Sequence, residues 1–255
     1  MLYSFFIMSS YLDIACSAAL EAGAFLRLHF GSELNVNALE KHDIKLALDV
    51  ETQELITQRL LTAFPDHALY GEEGIAGNTA SDFQWIVDPI DGTVNYFYSI
   101  PHFCISIALR QKETLLVGVI YDPMRDELWS VERGGAATLN GKKISVSPRT
   151  ELSEAILSVG FSKTGTTINA GLPMLEKMVH RARKCRLMGS AALDMAYISC
   201  GRLDAYIEQG ISLWDVAAGI LLIETAGGKV EMHPRPDDKD KYSIVASNGR
   251  LDLAV

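Results

Sequence analysis

The stretch Trp85-Ile86-Val87-Asp88-Pro89-Ile90-Asp91-Gly92-Thr93-Val94-Asn95-Tyr96 constrains this chain more than any other. It opens as an apolar strand over residues 85–87 and then sets two carboxylates, Asp88 and Asp91, around a proline. Pro89 lacks a backbone donor and fixes its own φ, so the strand is expected to stop there. A bend after Asp88 brings the Asp88 and Asp91 side chains to one side of the strand end. Gly92 permits close backbone approach to a ligand. A helix or turn starting near Thr93 points its free N–H groups at the same spot, where they favour an anion. Two hard oxygen ligands beside such a backbone suit a divalent cation that carries phosphate. Mg²⁺ fits, since it takes a few carboxylates and completes its shell with water and substrate oxygens. A bare D-x-x-D is more often a capped turn with exposed aspartates; the strand before it and the Gly-Thr after it carry the metal reading here.

The same stretch resembles the first signature of the inositol monophosphatase family. The resemblance continues in Gly71-Glu72-Glu73-Gly74 upstream and in Trp214-Asp215-Val216-Ala217-Ala218-Gly219 downstream, in the family's order. It spans Ala22 to Asn248, nearly the whole chain. It implies a layered αβαβα sandwich, of the type shared with fructose-1,6-bisphosphatase, with the site between two halves. A composition shift at residues 147–151 places the boundary, giving residues 1–147 and 148–255 as halves of one unit. Periodicity alone gives only a mixed α/β (α+β) chain.

The resemblance also implies roles. Glu72, Asp88 and the Ile90 carbonyl match the ligands of a first metal, and Asp88, Asp91 and Asp215 those of a second. Glu72 also faces a third, weaker metal. A carboxylate shared by two cations is electrostatically sensible, because each cation relieves repulsion among the crowded acids. Thr93 and Asp49 match the pair that positions the nucleophilic water. Asp49 equally reads as a cap for a helix starting near Glu51, and Asp215 as an ordinary N-cap. Glu73 is expected to support the turn or stay exposed. Glu208, seven residues before Asp215, matches a contact for substrate hydroxyls, though alone it reads as a surface residue. Gly189-Ser190-Ala191 matches the segment lining the same pocket, and Asp91, Gly92, Thr93 and Asp215 complete the substrate contacts. Two departures stand out. Lys45-Leu46 occupies a place where the family shows Val and then Thr or Ser, and Ser99 one where glycine is common.

The implied activity is Mg²⁺-dependent hydrolysis of a small polyol phosphate, foremost myo-inositol 1-phosphate, by direct attack of activated water. Two or three Mg²⁺ per site, inhibition by lithium and a homodimer belong to the same implication. Relatives act on fructose 1,6-bisphosphate, NADP, histidinol phosphate or 3′-phosphoadenosine nucleotides; Val94-Asn95-Tyr96 resembles the inositol branch. An interaction protein that keeps the fold is the alternative of another class. Its sequence support is the basic run Arg181, Arg183, Lys184 and Arg186, which reads first as a solvated helix end complementing the helix C-terminus.

A net charge of −9 speaks against a general nucleic-acid-binding surface, so no nucleic-acid partner is expected, although a local basic patch stays compatible. Cys16, Cys104, Cys185 and Cys200 form no C-x-x-C and read as buried reduced thiols, which fits a cytoplasmic protein. Met1 to Met8 is apolar but too short to span a membrane and has no basic leader, so neither a span nor a signal peptide is expected. Met1 and Met8 both remain possible starts. The six histidines show no metal-ligand spacing, and no G-x-S-x-G occurs.

Along the chain, residues 10–30 and 51–64 read as amphipathic helices. Residues 31–41 read as a polar link, a mobile segment near the metals in the resembling family. Residues 43–49 read as a strand or hairpin arm, 71–74 as an irregular turn and 75–82 as a loop. Strands are expected over 103–110, 115–121, 127–131, 137–139 and 143–146, with Asn140-Gly141 a tight-hairpin signal. The second half alternates strand and helix: strands at 155–159, 185–188, 205–207, 229–231 and 243–246, helices at 170–181, 190–200 and 214–225.

Overall fold

Apolar residues recur on both faces of the central strands, so those strands need cover on both sides. The computed structural model describes residues 10–40, 43–161, 164–236, 238 and 240–253. Lys41 and Met1–Met8 therefore lie outside the described residues. The first half comprises α1 (Tyr11–His29), β1 (Val36–Glu40), β2 (Asp43–Leu46), α2 (Ala47–Ala63), β3 (Ala68–Gly71), β4 (Gly74–Gly77) and β5 (Phe83–Asp91). It continues with α3 (Thr93–Phe97), β6 (Cys104–Gln111), β7 (Thr114–Asp122), β8 (Glu127–Glu132), β9 (Thr138–Leu139) and β10 (Lys142–Lys143). Then come β11 (Ile156–Val159), α4 (Gly165–Arg181), β12 (Lys184–Arg186), α5 (Ala191–Ser199), β13 (Ala205–Ile211), α6 (Leu213–Thr225), β14 (Lys229–Pro234) and β15 (Tyr242–Ser247).

An eight-stranded sheet runs in the order β10-β9-β8-β7-β6-β5-β3-β4, and a five-stranded one in the order β12-β11-β13-β15-β14. Helices α1 and α2 cover one face of the large sheet, over Trp85, Val87, Ile107 and Val119. Helices α5 and α6 lie between the sheets, over Ile86, Ala108, Ile120 and Trp129 from one side and Tyr206, Ile244 and Ala246 from the other. Helix α4 covers the outer face of the small sheet through Met178 against Leu157 and Ile207. The layers are therefore α, β, α, β, α, as the resemblance implied. Close approach of α6 to the large sheet needs glycine: a Cβ on Gly118 would stand 2.8 Å from the Ala218 carbonyl.

Local chemistry corrects several sequence expectations. Strand β5 does not stop at Pro89. It runs on to Asp91 through a bulge, with Asp88 opposite Ser106 and Asp91 opposite Cys104. Three steps on β5 face two on β6, and a proline is tolerated where the ladder is interrupted. Helix α2 starts at Ala47 rather than near Glu51, so the expected arm over 43–49 ends at Leu46. Residues 71–74 form a tight hairpin, with Gly71 opposite Gly74, and β4 takes up the start of the expected loop. Within the expected polar link, β1 pairs antiparallel with β2. The expected strand over 143–146 shrinks to β10. Among the cysteines only Cys104 is buried; Cys16, Cys185 and Cys200 are half-buried, and all four are free thiols.

Ser99 adopts φ +55°, where a Cβ crowds the backbone, on an exposed turn. Ser99→Gly is expected to stabilise the fold by about 0.5–1 kcal/mol, the strain relieved less the entropy glycine costs. An unchanged urea midpoint would show that the turn is unstrained.

Candidate active site

The bulge in β5 creates the site. Residues three apart on a regular strand face opposite sides of a sheet; one inserted residue returns Asp91 to the side of Asp88. Asp88, Asp91 and Asp215 then offer oxygens that all lie within 4.8 Å of one another. Asp88 and Asp91 are buried, and Asp215 is half-buried.

Each carboxylate is held. Asp88 Oδ1 accepts the Ile90 N–H at 3.0 Å, closing the bulge on itself. Asp91 faces the start of α5: its Oδ2 accepts from the Ser190 hydroxyl at 2.5 Å and the Ala192 N–H at 2.7 Å, and its Oδ1 from the Ala191 N–H at 3.3 Å. The Cys104 thiol lies 3.7 Å from the same Oδ2. Asp215 is not the N-cap of α6. It is the third helical residue, and its Oδ2 accepts the Ser212 N–H at 2.8 Å. Asp49 does the same for α2, accepting the Leu46 N–H at 2.7 Å. In both helices an acid in the first turn satisfies the backbone donor just before the helix, which fixes its rotamer. Asp215 thus joins a first-turn capping bond to a place in the acid cluster, and Asp49 joins one to its contact with Thr93.

Burial governs the electrostatics. Asp88 is pushed well above the usual carboxylate range by burial first and then by the charges of Glu72, Asp91 and Asp215. Asp91 is pushed up to about 7 by burial and Asp215, against the hydrogen bonds from Ser190, Ala192 and Ala191. A nest of acids that resists ionisation is one whose repulsion a hard divalent cation would relieve. The donor set fits Mg²⁺: carboxylate oxygens, with one backbone carbonyl adjacent.

Around this nest opens a cleft of about 620 Å³. Glu72, Ile90, Gly92 and Thr93 line it beside the three aspartates, and so do Gly189, Ser190, Ala191 and Glu208. Glu72 arrives on the β3–β4 hairpin, its N–H bonded to the Val87 carbonyl at 3.1 Å. Glu73 turns aside; its N–H donates to Gln53 and its carboxylate stands 3.9 Å from Lys45. Gly92 has φ +99°, and a Cβ there would press on the Gly189 and His102 carbonyls at 3.1 Å. Thr93 donates to the Ile90 carbonyl at 2.9 Å and stands 3.5 Å from Asp49 Oδ1. Asp49 does not line the cleft itself and contacts Thr93, which does. Within the segment expected to line the pocket, the Ser190 hydroxyl and the Ala191 N–H are engaged with Asp91.

Glu208 is 7% exposed and accepts a hydrogen bond from the Tyr206 hydroxyl. Burial pushes it up to about 7, opposed by Tyr206 and by the more distant Lys241. The sequence reading missed Lys45, Asp194, Tyr206 and Lys241, which also line the cleft. Tyr206 was findable: it stands two residues before Glu208 on β13 and so shares its face. Asn95 was noticed only as part of a motif. Its amide clamps α3 to the facing loop through the His102 and Met188 carbonyls, at 2.8 and 2.9 Å.

Known proteins resemble this chain over nearly the full length. A model of the inositol monophosphatase family matches residues 7–254. The chain is 39% identical over 251 residues to a protein named Nus factor SuhB from Xylella fastidiosa, covering 95% of this chain and 90% of that one. It is 38% identical over 252 residues to an inositol-1-monophosphatase from Mesorhizobium japonicum, covering 97% and 95%. The crystal structure of the extragenic suppressor protein suhB from Bartonella henselae superposes with a TM-score of 0.87 at 33% identity, covering 95% of each chain. Sequence, layer order and relatives agree, and the chain belongs to the inositol monophosphatase family.

Proposed function

We propose that this chain is a Mg²⁺-dependent phosphomonoesterase acting on a small polyol phosphate, foremost myo-inositol 1-phosphate. The observation that carries the reading is the convergence of Asp88, Asp91 and Asp215 within 4.8 Å. Glu72, Asp88, the Ile90 carbonyl, Asp91 and Asp215 would hold the metal. When bound, the metal lowers the pKa of water and stabilises charge on the transferring phosphoryl group.

The chain's own residues do the rest. Asp49, its Oδ2 fixed by the Leu46 N–H, turns Oδ1 toward Thr93. The Thr93 hydroxyl turns its hydrogen from the Ile90 carbonyl to Asp49 Oδ1, accepts the hydrogen bond of the attacking water, and takes up the water's proton as its own passes to Asp49. The water oxygen bonds to phosphorus as the ester P–O bond breaks, and the leaving alcohol keeps the ester oxygen and takes up a proton from solvent water. Glu208, positioned by Tyr206, orients the alcohol's hydroxyls. Thr93→Ala is expected to lower kcat by about 10²–10⁴-fold, the range of a positioned proton-transfer group, with KM changed far less. A kcat within twofold of wild type would remove Thr93 from the mechanism.

Phosphate release from inositol 1-phosphate, with and without Mg²⁺, tests the reading, with fructose 1,6-bisphosphate and NADP alongside. Mg²⁺-dependent release fastest on inositol 1-phosphate supports it. Faster release from another ester replaces the substrate, and no release from any removes the enzyme reading.

A second reading is favoured by relatives named Nus factor SuhB. That name leaves the expectation of no nucleic-acid partner unsupported, and we propose a macromolecular partner as a second role. Arg183, Lys184 and Arg186 supply a basic surface at the small sheet's edge strand β12, where Lys184 and Arg186 are exposed. Arg181 instead binds the Asp252 and Leu253 carbonyls. Charge reversal at Arg183 and Lys184 that left a partner pulldown unchanged would remove this support. Among the described residues no helix is long and apolar enough to cross a membrane.

A further inference from the structure

Lys241 occupies a position in the cleft that the phosphatase chemistry above does not use. It lies on the connection between β14 and β15 and lines the cleft with Trp214 and Glu208. Its ammonium donates to the Ser212 hydroxyl at 2.5 Å and stands 5.8 Å from the centre of the Trp214 ring. Its backbone is fixed as well: the N–H donates to the Asp238 carbonyl at 3.2 Å, and the carbonyl accepts the Arg235 N–H at 2.9 Å. Ser212 in turn precedes α6 and donates its N–H to Asp215. The ammonium is thereby tethered three residues from the acid nest.

Lysine is a flexible stem with a compact charge, and most of its cost in binding a ligand is the loss of side-chain freedom. Here Ser212 and the indole have already restricted that freedom. An ammonium carries three donors, and Ser212 takes one. The other lysine of the cleft, Lys45, lies at the opposite hairpin and faces the Glu73 carboxylate at 3.9 Å. Among the described residues Lys241 contacts a hydroxyl and a ring instead, with the Glu208 carboxylate at longer range. An uncharged polyol does not need a fixed cation at this place, because Glu208 and Tyr206 already supply an acceptor and a donor for hydroxyls.

Resting on the phosphatase reading, we infer that Lys241 forms a subsite for a second anionic group of the substrate. Among hydroxylated phosphate monoesters, those carrying a carboxylate or a second phosphate at the alcohol end gain affinity from it. The phosphoryl group being cleaved stays at the acid nest, the hydroxyls meet Glu208, and the second anion meets Lys241.

The test compares esters that differ by one anionic group: glycerol 2-phosphate with 2-phosphoglycerate, and fructose 1-phosphate with fructose 1,6-bisphosphate. Wild type, Lys241→Met and Lys241→Arg are assayed with Mg²⁺, and thermal midpoints confirm that the variants fold. The readout is the ratio of kcat/KM, the member with the second anionic group over the member without it. Lys241→Met is expected to lower that ratio about tenfold, the worth of one hydrogen bond to a charged group, with the loss residing in KM. Lys241→Arg, which keeps the charge, is expected to stay within about threefold of wild type. A loss in one pair alone supports the inference and says whether carboxylate or phosphate is taken. A ratio unaltered by Lys241→Met in both pairs overturns the subsite and leaves the phosphatase reading standing. No Mg²⁺-dependent release from any of the four esters by wild type overturns that reading, and the subsite with it.

Discussion

Asp88→Asn is expected to lower Mg²⁺-dependent phosphate release by about 10³-fold and, in metal-free buffer, to make the protein more heat-stable than wild type. The first effect follows from magnitude. A bound Lewis acid supplies several kcal/mol of charge stabilisation, and each 1.36 kcal/mol is tenfold in rate. The second follows from the surroundings of Asp88, which is 1% exposed and crowded by Glu72, Asp91 and Asp215. Asparagine keeps the shape and still accepts the Ile90 N–H, now 3.0 Å from Oδ1. Only the charge is lost, and without a cation that charge is a liability. Relief worth about 1 kcal/mol raises the midpoint by about 2–4 °C for a domain of this size. Mg²⁺ should raise the wild-type midpoint and move the variant's far less. The pH dependence has a definite sign. Asp91 binds its proton up to about 7 when folded, against 3.8 for the free side chain. The folded state therefore holds more protons across that window, and the stability present below it is lost as pH rises toward 7. Midpoints measured from pH 4.5 to 8 in chelator should fall, and saturating Mg²⁺ should flatten the slope. Full activity in Asp88→Asn, or a lower metal-free midpoint, would remove the acid nest from the account.

Much of this arrangement was legible in residue order. The alternation of β5, β6 and β7 is written in their apolar residues, and Ser10 with Asp13 marks the start of α1, where the two close a capping box. What was not legible depended on relations between segments. A bulge is a mismatch of steps between two strands, so Pro89 read alone signals an end; only the pairing with β6 shows the strand continuing. Helix α2 begins without a cap-type residue, because Leu46 in its N-cap position is buried in the core and offers no oxygen. The start was therefore expected later, and the position of Asp49 in the first turn went unseen. Strands β1 and β4 are short and are held by one neighbour each, so little in their composition had to announce them. Lys241 reached the cleft by the path of a loop, which no periodicity encodes.

Asp204 shows why burial of an acid was no guide to its role. It is 0% exposed, deeper than Asp91, yet it faces donors. Its Oδ1 accepts from the Ser147 hydroxyl and from Arg149 Nη1 at 2.9 Å, and its Oδ2 from the Ile156 N–H at 2.7 Å. Its backbone carbonyl accepts the Asn248 N–H at 2.9 Å, and the Asn248 amide closes the ring on the Arg149 carbonyl at 2.9 Å. This clasp joins the segment leaving the large sheet to β11, β13 and the end of β15. Removing one member of a buried ion pair typically costs 3–5 kcal/mol. Arg149 keeps partial access to water, with 37% of its side chain exposed, so Asp204→Ala is expected near the lower bound, about 3 kcal/mol. The midpoint in urea should fall accordingly, while kcat and KM of the folded fraction at low temperature stay at wild-type values, since Asp204 does not line the cleft. Asp204 and Asp88 thus predict opposite signs for the loss of one buried charge: destabilisation without loss of chemistry in the first, stabilisation with loss of chemistry in the second. The difference lies in the partners, N–H and guanidinium groups around Asp204 and carboxylates around Asp88. A pair of variants that both lost stability in metal-free buffer would show that the nest around Asp88 is held by donors, as the clasp is.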